Sequence, residues 1–225
     1  EKIIALAGNP NVGKSTLFNA LTGLKQHTGN WTGKTVSSAF GKYTYSNEEY
    51  TLVDLPGTYS LLVSSKEEAQ ARNFLLENRL DAVVVVVDAT CLERNLNLVL
   101  QILEITNKVV VCVNLLDEAA KKKIEVNIKQ LSQYLGVPVV GMCAKNGKGI
   151  KQLKEAVVNI IQDKAKMSPI KIEYSKEIEN SISNLLPLFD NLDISPKLKR
   201  YYALRLLEND DYIKNKSIVN CKYFQ

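Results

Sequence analysis

One short run near the start of the chain constrains its fold more than any other feature. Residues Gly8–Ser15, with the sequence GNPNVGKS, match the pattern G-x-x-x-x-G-K-[ST]. The run lies between an apolar segment, Lys2–Ala7, and a segment with helical spacing, Lys14–Leu21. Its glycines allow a tight turn, so that backbone N–H groups and a helix N-terminus can face an anion. The run therefore predicts a phosphate-binding loop between a strand and a helix.

Apolar runs rich in β-branched residues alternate with helix-like segments through the first two thirds of the chain. This alternation predicts an α/β fold, with a mostly parallel sheet flanked by helices and a ligand at the carboxyl ends of the strands. We expect strands at Lys2–Ala7, Thr35–Tyr43, Tyr50–Asp54, Ala82–Asp88, Lys108–Asn114 and Val137–Met142, the second and third joined by a turn at Ser46-Asn47. We expect helices at Lys14–Leu21, Lys66–Asn78, Asn95–Thr106, Glu118–Leu135 and Gly149–Lys164.

The sequence changes character near Ser168-Pro169, where strand signals give way to helical ones. One helical pattern covers Ile178–Leu186. A second starts at Ser195-Pro196, where Ser suits the N-cap and Pro suits the first turn. We therefore expect a first domain at residues 1–165 and a small C-terminal helical domain at residues 166–225.

Composition excludes several other classes of protein. A net charge of +5 over 225 residues is small for a dedicated nucleic-acid binder, and the densest run of lysines is Lys121–Lys123. The longest apolar run, Ala82–Val87, is far shorter than the ~20 residues that cross a bilayer. The cysteines, at positions 91, 112, 143 and 221, form no C-x-x-C pair, and His27 is the only histidine. These features argue against a nucleic-acid partner, a disulfide framework and a zinc site, and favour a reducing compartment.

The segment Asn114–Asp117, with the sequence NLLD, directly follows a predicted strand. A carboxylate at Asp117 can accept both the ring N–H and the exocyclic amino group of guanine, a donor pair that adenine lacks. Asn114 would tie this segment to the phosphate-binding loop. Although N-x-x-D alone is a weak pattern, because such an Asp can simply cap a helix, its place relative to the other motifs favours a guanine site.

The phosphate end of the site depends on two segments. Lys14 should neutralise the outer phosphates, and the Ser15 hydroxyl should ligate Mg²⁺. Asp54–Gly57, with the sequence DLPG, ends a strand, so Asp54 could hold Mg²⁺ through a water and the Gly57 N–H could meet the γ-phosphate. Such a contact would order this loop with GTP and release it with GDP.

Two weaker signals complete the site. One threonine between these motifs should reach Mg²⁺ and the γ-phosphate, and of Thr28, Thr32 and Thr35 we favour Thr35, because it precedes a predicted strand. Cys143–Lys145 follows the last strand, and its backbone N–H can face the guanine carbonyl. The predicted catalytic groups are Lys14, Thr35 and Gly57, and the predicted Mg²⁺ ligands are Ser15, Thr35 and Asp54. The predicted nucleotide-binding residues are Asn9, Pro10, Asn11, Val12, Gly13, Lys14, Ser15, Thr16, Asp54, Gly57, Asn114, Asp117, Cys143, Ala144 and Lys145.

The order of these motifs resembles that of a small P-loop GTPase of the translation-factor class. Their details resemble one family, the cytosolic N-terminal region of the bacterial ferrous iron transport protein B. The matching stretches are Gly8–Gly23, Gly29–Val36, Asp54–Leu61 and Val87–Leu96, and the helical tail resembles the family's small helical domain. The resemblance covers essentially the whole chain. It implies a regulatory GTPase domain that is joined to a transmembrane iron-permease region of the same parent protein, at the cytoplasmic face of the bacterial inner membrane.

The resemblance also implies cofactors, namely GTP or GDP with Mg²⁺, and K⁺ in the role of an arginine finger. The implied K⁺ ligands are Asn11 and carbonyl groups near Asn30-Trp31. Many GTPases have Gln directly after D-x-x-G to orient the attacking water, but this chain has Thr58, so we expect slow intrinsic hydrolysis. Two residues depart from the family's pattern. Thr32 stands where Pro is usual, and Cys143 stands where Ser or Thr is usual, so the weaker thiol should let nucleotide leave faster.

Three function classes remain open at this point: the regulatory GTPase of an iron transporter, a ribosome- or RNA-associated GTPase, and a nucleotide-binding module that does not hydrolyse. The second class would need an RNA-binding appendage, and the tail has no G-x-x-G loop and no basic stripe with aromatics. His27 lacks a partner carboxylate, so we interpret it as a mobile switch-loop residue rather than a catalytic base. The sequence leaves a homo-oligomer open.

Overall fold

A mostly parallel sheet forms the centre of the computed structural model, which describes residues 1–23, 27–30 and 37–215. The strands are β1 (Lys2–Gly8), β2 (His27–Asn30), β3 (Ser37–Tyr45), β4 (Glu48–Asp54), β5 (Ala82–Asp88), β6 (Val109–Asn114) and β7 (Val139–Gly141). In the described residues they form a seven-stranded sheet with the order β2-β3-β4-β1-β5-β6-β7. The strands from β4 across to β7 are parallel, whereas β3 is antiparallel to β4 and β2 to β3. The predicted α/β fold is confirmed.

Helices follow most of the parallel strands and fill the C-terminal part of the chain. They are α1 (Lys14–Thr22), α2 (Lys66–Glu77), α3 (Leu92–Ile105), α4 (Leu116–Lys121), α5 (Ile128–Leu135), α6 (Ile150–Ile161), α7 (Lys176–Leu185), α8 (Pro196–Leu207) and α9 (Asp211–Asn215). Short 3₁₀ turns lie at Ala89–Cys91, Ala144–Asn146 and Leu186–Phe189. Among the residues that the structure describes, no helix is long and apolar enough to cross a membrane.

The chain divides into two compact units. The first consists of Glu1–Leu103 and Asn107–Ile170, and the second of Glu104–Thr106 and Lys171 onward. The first unit extends past residue 165, where the sequence suggested a boundary, because two further residues are held by the end of α5. The N–H groups of Ser168 and Ile170 donate to the carbonyls of Gly136 and Leu135 at 3.0 Å each.

The core of the first unit covers both faces of the central strands. Every residue from Ala82 to Val87 in β5 is at most 1% exposed, as expected for the continuous apolar run of a central parallel strand. The helices α1 and α6 pack on one face, with the buried side chains Leu17, Phe18, Leu21, Leu153, Val157 and Ile160. Because the carboxyl ends of parallel strands lie at one edge of the sheet, this packing brings the polar residues that end β4, β5 and β6 to that edge.

The single helix predicted at Glu118–Leu135 is wrong, because the chain forms two helices, α4 and α5, with a loop between them. Lys123 has a φ of 58°, in the left-handed region, which a helix cannot contain. The Asn127 side chain then caps α5 by accepting the N–H of Gln130 at 3.0 Å. No Gly or Pro marks this break, so the sequence pattern did not show it.

The start of α3 also differs from the prediction, which began the helix at Asn95. The Asp88 carboxylate accepts the N–H of Thr90 at 2.7 Å and opens a 3₁₀ turn, so that α3 begins at Leu92. The buried Asn95 side chain bonds back to the Asp88 N–H at 3.2 Å and to the Cys91 carbonyl at 3.0 Å. Asn95 therefore lies inside the helix, where it holds the turn that precedes it.

The strand β2 was not predicted, because residues 27–30 carry no apolar alternation. It pairs with β3, with His27 opposite Phe40, so the backbone at His27 is in a strand rather than in the predicted mobile loop.

The predicted hairpin between β3 and β4 is confirmed. Ser46 and Asn47 have φ values of 51° and 63°, as a tight hairpin turn requires.

The second unit is helical, as predicted. Ser195 caps α8 by accepting the N–H of Leu198 at 3.2 Å, and Pro196 is the first helical residue. The Arg200 guanidinium of α8 makes two hydrogen bonds, of 2.6 and 2.7 Å, to the Glu179 carboxylate of α7. This paired contact lowers the pKa of Glu179 to about 2.

Candidate nucleotide-binding site

The loop between β1 and α1 has the conformation that phosphate binding requires. Asn11 and Gly13 have φ values of 65° and 84°, so the backbone turns back sharply before α1 begins. Gly13 caps α1 without a side chain, which leaves the first N–H groups of the helix for a ligand. A cavity of about 520 Å³ lies at this point, lined by Asn9, Pro10, Asn11, Gly13, Lys14, Ser15, Thr16 and Gly57.

The predicted phosphate cation and the predicted Mg²⁺ carboxylate lie in contact. The Lys14 ammonium forms an ion pair with the Asp54 carboxylate at the end of β4 and donates to the Leu55 carbonyl at 2.7 Å. Burial raises the pKa of Asp54 above its usual range, against the opposing effect of the Lys14 charge. Binding of a nucleotide with Mg²⁺ would have to break this ion pair. Lys14 would then contact the phosphates, and Asp54 would hold the Mg²⁺.

The loop after β4 packs against the phosphate-binding loop. The Thr58 N–H donates to the Gly8 carbonyl at 3.1 Å, and Thr58 is 4% exposed. A Cβ on Gly57 would lie 3.3 Å from Pro10 Cα, so a side chain there would crowd the contact. Gly57, the predicted γ-phosphate contact, lines the same cavity as Lys14 and Ser15.

Asn114 links three segments at the base end of the site. It is the last residue of β6 and is 2% exposed. Its Nδ2 donates to the Val12 carbonyl at 3.0 Å, which is the predicted tie to the phosphate-binding loop. Its Oδ1 accepts the N–H of Ala144 at 2.9 Å. This second bond was not foreseen, and a guanine carbonyl oxygen would have to share the Ala144 N–H with Asn114.

Asp117 has the charge and the free oxygen that a guanine site needs. It lies in the first turn of α4, directly after Leu115 and Leu116, and Leu115 has a φ of 62° that sets the loop geometry. A hydrogen bond from the Cys143 thiol, together with N–H groups at the start of α4, lowers the pKa of Asp117. The Oδ1 atom is buried and has no partner in the described part of the chain. An ionised carboxylate with an unpaired buried oxygen fits the two N–H donors of guanine.

The thiol contact predicts a change in nucleotide release. Cys143→Ser should slow GDP release about fivefold. A hydroxyl is a stronger hydrogen-bond donor to Asp117 than a thiol, and a carboxylate held more firmly should stabilise bound GDP by about 1 kcal/mol. Release of a fluorescent GDP analogue, followed by stopped flow, measures the rate. Cys91→Ser is the matched control and should leave the rate unchanged, since Cys91 is exposed and is not one of the predicted nucleotide-binding residues. Equal release from wild type and Cys143→Ser would contradict the expectation.

Several predicted residues lie outside the described part of the chain. Thr32 and Thr35 are among them, as is Trp31, which was expected beside the K⁺ ligands. Thr28 and Asn30 lie in β2. The assignment of Thr35 to Mg²⁺ and of K⁺ to Asn11 therefore stays a prediction.

Two residues of α3 that hold the segment after Gly57 were not predicted from the sequence. The Gln101 amide forms hydrogen bonds with Ser60 and Leu61, and the Arg94 guanidinium lies over the Tyr59 ring. A signal for Gln101 was present, since it is one amide within the otherwise apolar run LVLQIL.

A larger cavity, of about 640 Å³, lies elsewhere in the first unit. It is lined by residues 89–94, 124–127, 130, 131 and 134. None of the predicted nucleotide-binding residues lines it. The predicted phosphate-binding residues line the smaller cavity, which is therefore the candidate nucleotide site.

Two family models match the chain, one over most of the first unit and one within the second. The family model described as ferrous iron transport protein B matches residues 2–157, and the model described as FeoB cytosolic helical domain matches residues 174–217. The Fe(2+) transporter FeoB of Escherichia coli (strain K12) is 41% identical over 213 residues, which cover 93% of this chain and 27% of that protein. The corresponding transporter of Salmonella typhimurium is 38% identical with the same coverage. The chain thus spans about a quarter of the length of these relatives.

Solved structures are similar over nearly the whole chain. The cytosolic domain of the T. maritima FeoB iron transporter matches in its apo form with a TM-score of 0.84 and 38% identity, covering 94% of this chain and 83% of that one. Its GDP form matches with a TM-score of 0.83 and 39% identity, covering 94% and 82%. The cytosolic domain of L. pneumophila FeoB matches with a TM-score of 0.83 and 32% identity, covering 94% and 90%.

Proposed function

Because the chain belongs to the ferrous iron transport protein B family, we propose that it binds GTP with Mg²⁺ and hydrolyses it slowly to GDP and phosphate. It does so as the regulatory domain of an Fe²⁺ transporter, beside the transmembrane iron-permease region of the same parent protein. One observation carries the proposal. A phosphate-binding loop and an ionised Asp117 with a free buried oxygen lie at one edge of the sheet, joined through Asn114.

Each group in the site has a separate task in this proposal. The Asp117 carboxylate selects guanine by accepting its two N–H donors, and the start of α1 holds the phosphate oxygens. Lys14 neutralises the outer phosphates, while Ser15 and Asp54 would hold Mg²⁺, with Thr35 as a further ligand. When bound, Mg²⁺ spreads the charge that develops on the phosphate oxygens. The Gly57 N–H would orient the γ-phosphate. Thr58 supplies no side-chain amide to orient water, so we expect a slow rate.

We further propose that the nucleotide state is passed to the helical unit. The last turn of α3 groups with that unit, and its Glu104 accepts a hydrogen bond of 2.6 Å from the Tyr174 hydroxyl. Burial raises the pKa of Tyr174, so the phenol keeps its proton and stays a donor at physiological pH. The contact gives the end of α3 a defined partner within the helical unit.

Phosphate release from GTP and from ATP, measured in KCl and in NaCl, tests the proposed activity. We expect turnover of GTP and none of ATP. The rate should be several-fold higher in KCl than in NaCl, and Asn11→Ala should abolish this difference between the two salts. Equal rates in the two salts would remove K⁺ from the mechanism. GTP binding without phosphate release in either salt would instead favour the nucleotide-binding module without hydrolysis.

A further inference from the structure

The segment that follows the predicted γ-phosphate contact, residues 57–61, is held at both ends by other parts of the first unit. At its start, the Thr58 N–H donates to the Gly8 carbonyl of the phosphate-binding loop at 3.1 Å. At its end, Gln101 of α3 accepts the N–H of Leu61 at 2.6 Å and donates to Ser60 Oγ at 3.1 Å. The segment has no helix or strand of its own, so these contacts set its position.

A second residue of α3 holds the same segment. The Arg94 guanidinium lies 4.4 Å from the centroid of the Tyr59 ring, at cation–π distance. Arg94 and Gln101 are seven residues apart, which is two helical turns, so they lie on one face of α3. That face therefore holds three successive residues, from Tyr59 to Leu61.

The two contacts differ in their surroundings. Leu61 is 2% exposed and its bond to Gln101 is partly buried, whereas Tyr59 is 43% exposed and its contact with Arg94 is open to solvent. Buried hydrogen bonds are the more costly to lose, because the freed N–H has no water to replace its partner. Gln101 should therefore be the stronger of the two attachments.

We infer that Gln101 and Arg94 are positioning residues for GTP hydrolysis, acting through the segment at residues 57–61. Neither residue lines the candidate nucleotide cavity. They would therefore set the position of Gly57 and Thr58 and would not change the affinity for the nucleotide. A γ-phosphate contact at Gly57 requires the segment to lie within hydrogen-bond reach, and a shift of about 1 Å can cost 10²-fold in rate. The inference rests on the proposed GTPase function.

Gln101→Met tests the stronger attachment, because it removes both hydrogen bonds and keeps a side chain of similar length in the helix. We expect kcat for GTP to fall about tenfold, with KM and the Kd for GDP within about twofold of wild type. Gln101→Glu should retain most of the rate, since its carboxylate still accepts from Leu61 N–H and from the Ser60 hydroxyl. Gln152→Met, at an exposed position of α6, is the matched control and should leave kcat unchanged.

Amide hydrogen exchange separates this inference from the proposed function. Exchange at the Leu61 N–H should accelerate at least tenfold in Gln101→Met, with or without nucleotide. An active wild type and an unchanged kcat in Gln101→Met would overturn the inference alone. A wild type that releases no phosphate would contradict the proposed function, and with it the role in hydrolysis.

A double-mutant cycle tests the exposed attachment without disturbing the core. Arg94→Ala and Tyr59→Leu should each lower kcat about threefold, and the double variant should be no slower than either single one, because both remove the same contact. A ninefold loss in the double variant would mean that the two residues act independently, which would overturn the role of Arg94.

Discussion

Asp117→Asn should lower GTP affinity by about 10²–10⁴-fold and create a preference for xanthosine triphosphate. The carboxylate would accept two N–H donors from guanine, and hydrogen bonds to a charged partner contribute about 1.5–3 kcal/mol each. An asparagine amide keeps one acceptor but presents an N–H to the guanine amino group. Xanthine has a carbonyl oxygen at that position, so the same amide N–H finds an acceptor. Competition of GTP and xanthosine triphosphate against a fluorescent nucleotide measures the exchange of preference.

The neighbouring residue gives a matched control for this expectation. Glu118→Gln changes the same kind of charge one position along α4, where the Glu118 side chain is exposed and pairs with Lys121 at 2.8 Å. Its GTP affinity should stay within about twofold of wild type, since an exposed ion pair on a helix contributes little. Guanine preference that survives in Asp117→Asn would show that another residue reads the base.

Gly13→Ala should reduce the free energy of unfolding by about 2–5 kcal/mol, from left-handed backbone strain and from damage to buried hydrogen bonds. The φ of Gly13 is 84°, and a Cβ there would overlap with Asn114 Nδ2, the atom that donates to the Val12 carbonyl. To relieve the overlap, Asn114 must move away from Val12 or from Ala144. Guanidinium unfolding followed by circular dichroism measures the loss, and GTP affinity should fall with it.

Gly23→Ala separates strain from overlap. Gly23 ends α1 with a φ of 64°, yet a Cβ there would meet no atom of the described residues within 4 Å. It should therefore cost only the left-handed strain, about 1–2 kcal/mol, and leave GTP affinity unchanged. Equal losses in the two variants would mean that Asn114 adjusts without cost, and the role given to its two hydrogen bonds would be wrong.

Much of the fold could be predicted because its signals are local. The apolar run of β5 is buried along its whole length, as a central parallel strand must be, and Ser195-Pro196 starts a helix in the structure as it does in the pattern. These features depend on the residues within one element and on the solvent they face. The same reasoning failed for Glu118–Leu135, where a capping Asn127 and a left-handed Lys123 divide the helix without a Gly or Pro to mark it.

The sequence by itself determined which residue types the proposed nucleotide site contains, because Gly13, Lys14 and Asp117 fall in motifs recognised by residue type and short spacing. Only the tertiary structure decided which groups meet. The Cys143 thiol reaches Asp117 across 26 positions of the chain, and Gln101 reaches Leu61 across 40. Such contacts depend on how strands and helices pack over a shared core, and no periodicity within a single segment encodes the partner of a side chain so far away.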